Sequence, residues 1–159
     1  MTKEQINSYT LRISEANESQ YVVILHEILI DFLDEAIIRL QNNQLDEYLI
    51  LMKKCQRINA ELRNQMNTQV QEGRILIREY DKVGSMLVKG ILRKELEPTE
   101  SAKNMLGKLK PGFVELSKKD QSSPILGNTQ KVYEGLTYGR GAKNETYIDG
   151  GSSGRGFTV

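Results

Sequence analysis

The side chains that most often perform catalysis or bind metals are scarce in this sequence. Its 159 residues include a single histidine, His26, and a single cysteine, Cys55. A metal site in a helical bundle needs paired Glu-x-x-His motifs, and a zinc site needs several His or Cys ligands. His26 flanks an apolar helix face and Cys55 falls on an apolar stripe, so we interpret both as structural residues. We therefore expect no catalytic residue, no cofactor and no metal.

A second candidate for chemistry is a glycine-rich stretch at residues 132–157, VYEGLTYGRGAKNETYIDGGSSGRGF. Its GRGAKN segment superficially resembles a phosphate-binding loop, but it lacks the full glycine spacing, the Lys-Ser/Thr ending and a strand-to-helix context. Apolar residues are sparse throughout residues 121–159, which is typical of a flexible tail. Two interpretations stay open: a solvated tail, or a segment whose VYEGLTYG residues lie against the protein's own helices.

The charge balance argues against two classes of partner. The chain has 22 Lys and Arg residues against 21 Asp and Glu residues, and no long basic run stands out. We therefore expect neither a nucleic-acid partner nor an anionic membrane surface. No apolar run is long enough for a transmembrane helix and no signal peptide is recognisable, so we expect no membrane insertion and a cytoplasmic location.

Apolar residues at helical spacing predict four helices, at about residues 19–42, 45–66, 69–96 and 99–120. The short connections between them favour antiparallel neighbours. The predicted fold is therefore all-α: an antiparallel four-helix bundle over residues 19–120. An N-terminal segment, residues 1–18, precedes the bundle, and the tail of residues 121–159 follows it.

Local signals predict where two of these helices begin. Asn17 and Ser19 are both candidate N-caps of the first helix. Thr68 and Gln71 have the spacing of a capping box, in which each side chain accepts a hydrogen bond from a free backbone N–H. We therefore expect Thr68 to cap the third helix.

Proline and glycine predict the remaining boundaries. Pro98 is expected to end the third helix, and Thr99 to cap the fourth. The Pro111-Gly112 pair predicts a kink or a one-turn break near Lys108. Gly84 borders the apolar stripe of the third helix, where it is either tolerated or marks the close approach of another helix.

Four stretches resemble, in their order and spacing, the FliS family of flagellar export chaperones. They are YTLRISEAN before the first helix, VVILHEILIDFLDEAI in the first, KCQRINAELRNQM in the second and LIREYDKVGSML in the third. The resemblance covers about residues 9–120, and the Pro111-Gly112 pair and the tail depart from it. It implies a cytoplasmic chaperone that binds the C-terminal helices of flagellin in a groove. It also implies that the chaperone prevents premature polymerisation and assists delivery to the flagellar type III export apparatus.

The partner-binding residues that we predict are apolar or aromatic. They are Tyr9, Ile13, Leu49, Ile50, Ile58, Leu62, Ile77, Tyr80 and Leu87. Some apolar residues exceed what one core stripe needs, and they form either a second apolar face for flagellin or the contacts of a helix with two neighbours. These are Leu49, Ile50 and Leu51 on the second helix and Ile75 and Ile77 on the third. Tyr9 precedes the predicted bundle, and its segment is expected to cover a groove and to move aside on binding. Tyr48 and Tyr80 are expected at the core with their hydroxyls at its edge.

Three questions about partners stay open at the level of sequence. One is direct contact with the flagellar export gate, and another is a homodimer. The third concerns the class of protein: the same helices would suit a structural or regulatory adaptor that binds a different helical partner.

Overall fold

The computed structural model describes residues 1–125, and all the regular secondary structure of this range is α-helical. The helices are α1 (Lys3–Glu15), α2 (Glu18–Gln41), α3 (Leu45–Asn64), α4 (Gln71–Arg93) and α5 (Leu96–Lys119). The all-α prediction is therefore confirmed, with five helices in place of the four expected. Most of the predicted tail, including VYEGLTYG, lies outside the described residues.

Helix α2 is the centre of the packing because it is apolar around most of its circumference. It packs most extensively against α3 and α5, while α4 packs against the same two helices from the other side, and α1 contacts α2. Eleven residues of α2 are buried, among them every residue from Tyr21 to His26. A helix with so wide an apolar surface must be covered by several neighbours. The hydrophobic core accordingly lies around α2.

The start of α2 agrees with the sequence signals. Of the two candidate caps, Asn17 is the one that the structure uses. Its Oδ1 accepts a hydrogen bond from the N–H of Gln20 at 2.9 Å, and the Gln20 Oε1 accepts one from the N–H of Asn17 at 3.0 Å. This reciprocal capping box satisfies two backbone donors at the corner between α1 and α2.

Helix α1 is an element that the sequence analysis missed. Thr2 and Gln5 form a capping box at its start, with hydrogen bonds of 3.2 Å and 2.7 Å. Ile13 is the one residue of α1 that is buried. The T-x-x-Q spacing could have identified the helix start, but the apolar stripe is too narrow to stand out by periodicity.

The turn between α3 and α4 contradicts the prediction that Thr68 caps a helix. Val70 holds the N-cap position of α4, without a side-chain hydrogen bond. The backbone N–H of Gln69 is instead bonded to the side chain of Asn67 at 2.9 Å, so the chain turns back over the start of α4. A Cβ at Gly73 would lie 1.8 Å from the Asn67 carbonyl oxygen. This close passage explains why the first turn of α4 contains a glycine.

The corner between α4 and α5 also differs from the prediction. Helix α4 ends at Arg93 and is followed by Lys94 in the left-handed region, φ 54°. Pro98 does not end α4; it lies in the first turn of α5, where backbone N–H groups have no intrahelical partner and proline is tolerated. Thr99 is not a cap either. It is buried inside α5, and its hydroxyl lies 3.0 Å from that of Tyr48.

Close helix approach occurs at Gly90 rather than at Gly84. A Cβ on Gly90 would lie 2.9 Å from Met52 Cε and from Thr99 Oγ1, whereas one on Gly84 would meet only Asn59 Nδ2, at 3.4 Å. Of the kink or one-turn break expected from Pro111-Gly112, the break is absent: α5 is continuous from Leu96 to Lys119. Both residues of that pair are exposed.

Candidate functional site

Helix α1 lies on α2 along a row of acidic side chains spaced four residues apart. The pairs are Arg12 with Glu27, Tyr9 with Asp31, and the amino group of Met1 with Glu35. The Arg12 and Tyr9 contacts measure 2.5 and 2.7 Å. Residues four apart lie on the same helix face, so this row forms one polar edge of the contact between the two helices.

Tyr9 combines an apolar contact with a polar one. It is half-buried against the core, and its hydroxyl donates to Asp31 Oδ2. Burial, followed by the hydrogen bond to the Asp31 carboxylate, raises the pKa of the Tyr9 hydroxyl. The hydroxyl therefore stays protonated as a donor. Tyr9 lies at the edge of the α1–α2 contact.

The apolar side of α1 is anchored at one point. Ile13 is 1% exposed, while Ile6 and Tyr9 are only partly buried against the core. Their spacing, i, i+3 and i+7, is the spacing with which a helix places its apolar face in a groove. Because α1 buries one residue and α2 buries eleven, α1 is held less firmly than α2.

Open clefts flank both ends of α1. A cleft of about 360 Å³ lies at its C-terminal end, where Val23 and Ile24 of α2 meet Arg12 and Ser117. At the other end, Ile38 borders a cleft of about 230 Å³ that Met1 and Gln5 also line. A separate cleft of about 480 Å³ lies between α2 and α5. The surface of α2 beside α1 therefore has unfilled space lined in part by apolar side chains.

The structure divides the predicted partner-binding residues into two groups. Five are core residues with 4% exposure or less: Ile13, Ile58, Leu62, Tyr80 and Leu87. Tyr9, Leu49 and Ile77 are partly buried, and Ile50 is 55% exposed. The nine do not form one surface, because the core members face inward. Only the second group is accessible in this arrangement of the chain.

Several exposed apolar residues were absent from the predicted set. The most exposed of them are Leu92, at 75%, Leu11, Leu116 and Ile38. Leu92, Leu11 and Ile38 fall outside the stripe that their helix turns to the core, and that position is the sequence signal that could have identified them. Leu116 keeps helical spacing with the buried Phe113 of α5, so periodicity could not have shown that it is exposed. Together with Ile50 they extend the apolar surface over several helices.

His26 is a core residue, as predicted. Its Nδ1 lies 2.8 Å from the Val22 carbonyl oxygen and its Nε2 lies 3.0 Å from the Tyr80 hydroxyl. Burial lowers the pKa of His26 to about 4, so the ring is neutral at pH 7. A carbonyl oxygen can only accept, so Nδ1 carries the proton and Nε2 accepts from Tyr80. The Tyr80 hydroxyl thus lies inside the core, not at its edge.

The other candidate for chemistry is equally enclosed. Cys55 is fully buried, as predicted, and burial raises the pKa of its thiol, which keeps it protonated and unreactive. Tyr48 lies in the core and is fully buried, but its hydroxyl, expected at the core edge, is also enclosed and lies against Thr99. Among residues 1–125, no group of three His, Cys, Asp or Glu side chains lies together as a metal site would require. None of the helices in this range is long and apolar enough to cross a membrane.

Residues 1–125 thus form a domain of packed helices with apolar side chains exposed on each of the five. Residues 2–120 match the family of the flagellar protein FliS, and the chain belongs to this family of flagellar chaperones. The match includes all five helices and ends where α5 ends. No curated protein matches the sequence.

Proposed function

We propose that this protein is a flagellar export chaperone that binds the C-terminal helices of flagellin in the cytoplasm. It keeps flagellin from polymerising early and assists its delivery to the flagellar type III export apparatus. The observation that carries the proposal is membership of the FliS family over residues 2–120. Flagellin is the client that this family resemblance implies.

The position of α1 supports a helix-in-groove mode of binding. Its Ile6, Tyr9 and Ile13 occupy the α2 surface with the spacing that an incoming amphipathic helix would use. Helix α1 thus occupies the surface that a client helix would bind, and it is displaced when flagellin binds. The polar row along α2 then becomes available to basic or hydroxyl side chains of the client.

Accessible apolar residues on other helices supply further contact area. Leu49 and Ile50 on α3 and Ile77 on α4 are the predicted binding residues that the packing leaves at least partly exposed. The buried members, such as Leu62 and Leu87, support these helices from inside. A client that contacts several such faces would wrap around the chaperone rather than fill one pocket.

The mechanism requires no reaction. A chaperone that binds only the unassembled client lowers the free client concentration by mass action. Apolar contacts supply the affinity for the client, and the charged side chains at the edge of the α1–α2 contact orient the client helix. The complex then carries flagellin to the export gate.

Calorimetric titration of the full-length protein with the C-terminal region of flagellin tests this function. We expect one saturable binding event in the wild type and weaker binding in Ile50→Asp and Ile77→Asp variants. Ser85→Asp is the matched control, because it adds the same single negative charge at an exposed position of α4 and removes no apolar side chain. Sedimentation of the free protein would show whether a homodimer competes with the client.

Two results would count against the proposal. Absence of binding by the folded wild-type protein would favour an adaptor with a different helical partner. If the folded Ile50→Asp and Ile77→Asp variants bind flagellin with unchanged affinity, the faces that carry these two residues are not part of the binding surface. Flagellin would remain the client.

A further inference from the structure

Residues 120–125 bind the corner between α1 and α2, although 103 residues separate Asn17 from Asp120. The Asn17 side-chain amide donates to the carbonyl oxygens of Asp120 at 3.0 Å and Ser122 at 3.4 Å. The backbone N–H of Ile125 donates to the carbonyl oxygen of Ala16 at 2.9 Å. We call residues 120–125, bound to residues 16–19, the clasp.

The clasp supplies a partner to one buried backbone group of the corner, the Ala16 carbonyl. Ala16 and Asn17 are both extended and both 3% exposed. The last carbonyl groups of a helix lack an intrahelical partner, and an unpaired buried acceptor is costly. The N–H of Ile125 supplies the partner of the Ala16 carbonyl.

Asp120 completes the clasp with both of its carboxylate oxygens. Ser19 Oγ donates to Oδ2 at 2.6 Å, and the N–H and Oγ of Ser122 donate to Oδ1 at 2.9 and 2.6 Å. The hydrogen bonds from Ser122 and Ser19 lower the pKa of Asp120 to about 2, so the carboxylate is charged at pH 7. Hydrogen bonds to a charged acceptor are stronger than neutral ones.

We propose that the clasp anchors α1, so that the segment after α5 controls how readily α1 leaves α2. Helix α1 has one buried anchor, Ile13, and its only covalent link to the core is the corner that the clasp holds. Fixing this corner restricts the directions in which α1 can swing. The family match ends at Asp120, so residues 121–125 of the clasp are a feature that family membership does not supply.

Two substitutions disrupt the clasp while preserving local structure. Asn17→Asp keeps an effective helix cap, but it replaces the donor amide with an oxygen that faces the carbonyls of Asp120 and Ser122. Ile125→Pro removes the N–H that binds Ala16. Ile125→Ala is the matched control, because it shortens the same side chain and keeps the N–H.

Hydrogen exchange measured by mass spectrometry on the full-length protein, without client, tests the anchor. Loss of one hydrogen bond predicts that amides of α1 exchange about three- to tenfold faster in Asn17→Asp and Ile125→Pro. Amides of α3 should exchange at the wild-type rate, and Ile125→Ala should resemble the wild type. Unchanged exchange of α1 in both disrupting variants would overturn the proposal. So would an equal rise in α1 and α3, since that indicates general destabilisation.

A second measurement extends the inference to the client and rests on the proposed function. If α1 must leave before flagellin binds, the disrupting variants should bind the C-terminal region of flagellin up to about tenfold more tightly. If the amides of α1 exchange faster but the affinity for flagellin is unchanged, the clasp does not control flagellin binding. The claim that it anchors α1 would still stand. If neither the wild type nor any variant binds flagellin, the proposed function is refuted. The hydrogen-exchange data would still show whether the clasp anchors α1.

Discussion

Acidification should destabilise this protein through His26. The folded protein holds His26 neutral because burial, together with the charge of Lys110 on α5, lowers its pKa from 6.5 to about 4. The hydrogen bond to the Val22 carbonyl acts in the opposite direction and is too weak to reverse the shift. An unfolded chain exposes the ring to water, where its pKa is about 6.5.

The sign and size of the effect follow from linkage between protonation and folding. Because the folded pKa is the lower one, the unfolded state binds the proton first as the pH falls. The stability associated with neutral His26 is therefore complete above pH 6.5 and is lost as the pH falls from there towards 4. Between pH 7.5 and 5.5 the expected loss is about 1.4 kcal/mol, out of a maximum of about 3.4 kcal/mol at lower pH.

Urea unfolding followed by helical circular dichroism at pH 7.5, 6.5 and 5.5 measures this loss. The matched control is His26→Gln, which removes the titrating group. The control should be less stable at pH 7.5, because it loses the ring contacts with Tyr80 and Phe113, but its stability should change little between pH 7.5 and 5.5. Equal pH-dependent losses in the two proteins would show that the effect does not come from His26.

The remaining predictions concern packing. Gly73→Ala should lower the free energy of unfolding by more than 1 kcal/mol, because its Cβ would overlap the Asn67 carbonyl. Gly84→Ala should be neutral or stabilising by up to about 1 kcal/mol, since the site is helical and has room for a methyl group. If thermal unfolding shows that Gly73→Ala and Gly84→Ala lose the same stability, this explanation is wrong. Leu29→Ala should lower the free energy of unfolding in urea by about 2–5 kcal/mol, because Leu29 is fully buried. Leu92→Ala should lower it by less than about 0.5 kcal/mol, because Leu92 is largely exposed. A large loss in Leu92→Ala would mean that this side chain is covered in solution.

Much of the helical content could be predicted because it is encoded over short distances. The apolar periodicity of α2, α3 and α4 located each helix to within a few residues. The Asn17 cap was also recognisable, since a cap and the backbone groups that it binds lie within three residues of each other. His26 and Cys55 could be assigned to the core because each falls on or beside a stripe.

Where several local patterns were compatible with the sequence, packing selected among them. Thr68 had a capping spacing, but the close passage of the chain at Gly73 places the start of α4 elsewhere. Pro98 is compatible with a helix end and with a first turn; in the structure it lies in the first turn of α5, followed by Thr99 in contact with Tyr48. Likewise, five predicted binding residues proved to be core, because periodicity identifies an apolar face without showing how many neighbours cover it.

The sequence by itself therefore determined the helical fold class and, through the FliS family, the kind of protein. The tertiary structure decided that residues 1–18 include a helix lying on α2, which apolar residues remain exposed, and that residues 120–125 bind the corner at Asn17. These features depend on contacts between segments distant in the chain. Helix periodicity and capping involve neighbours within about four residues, whereas such contacts exist only once the helices have packed together.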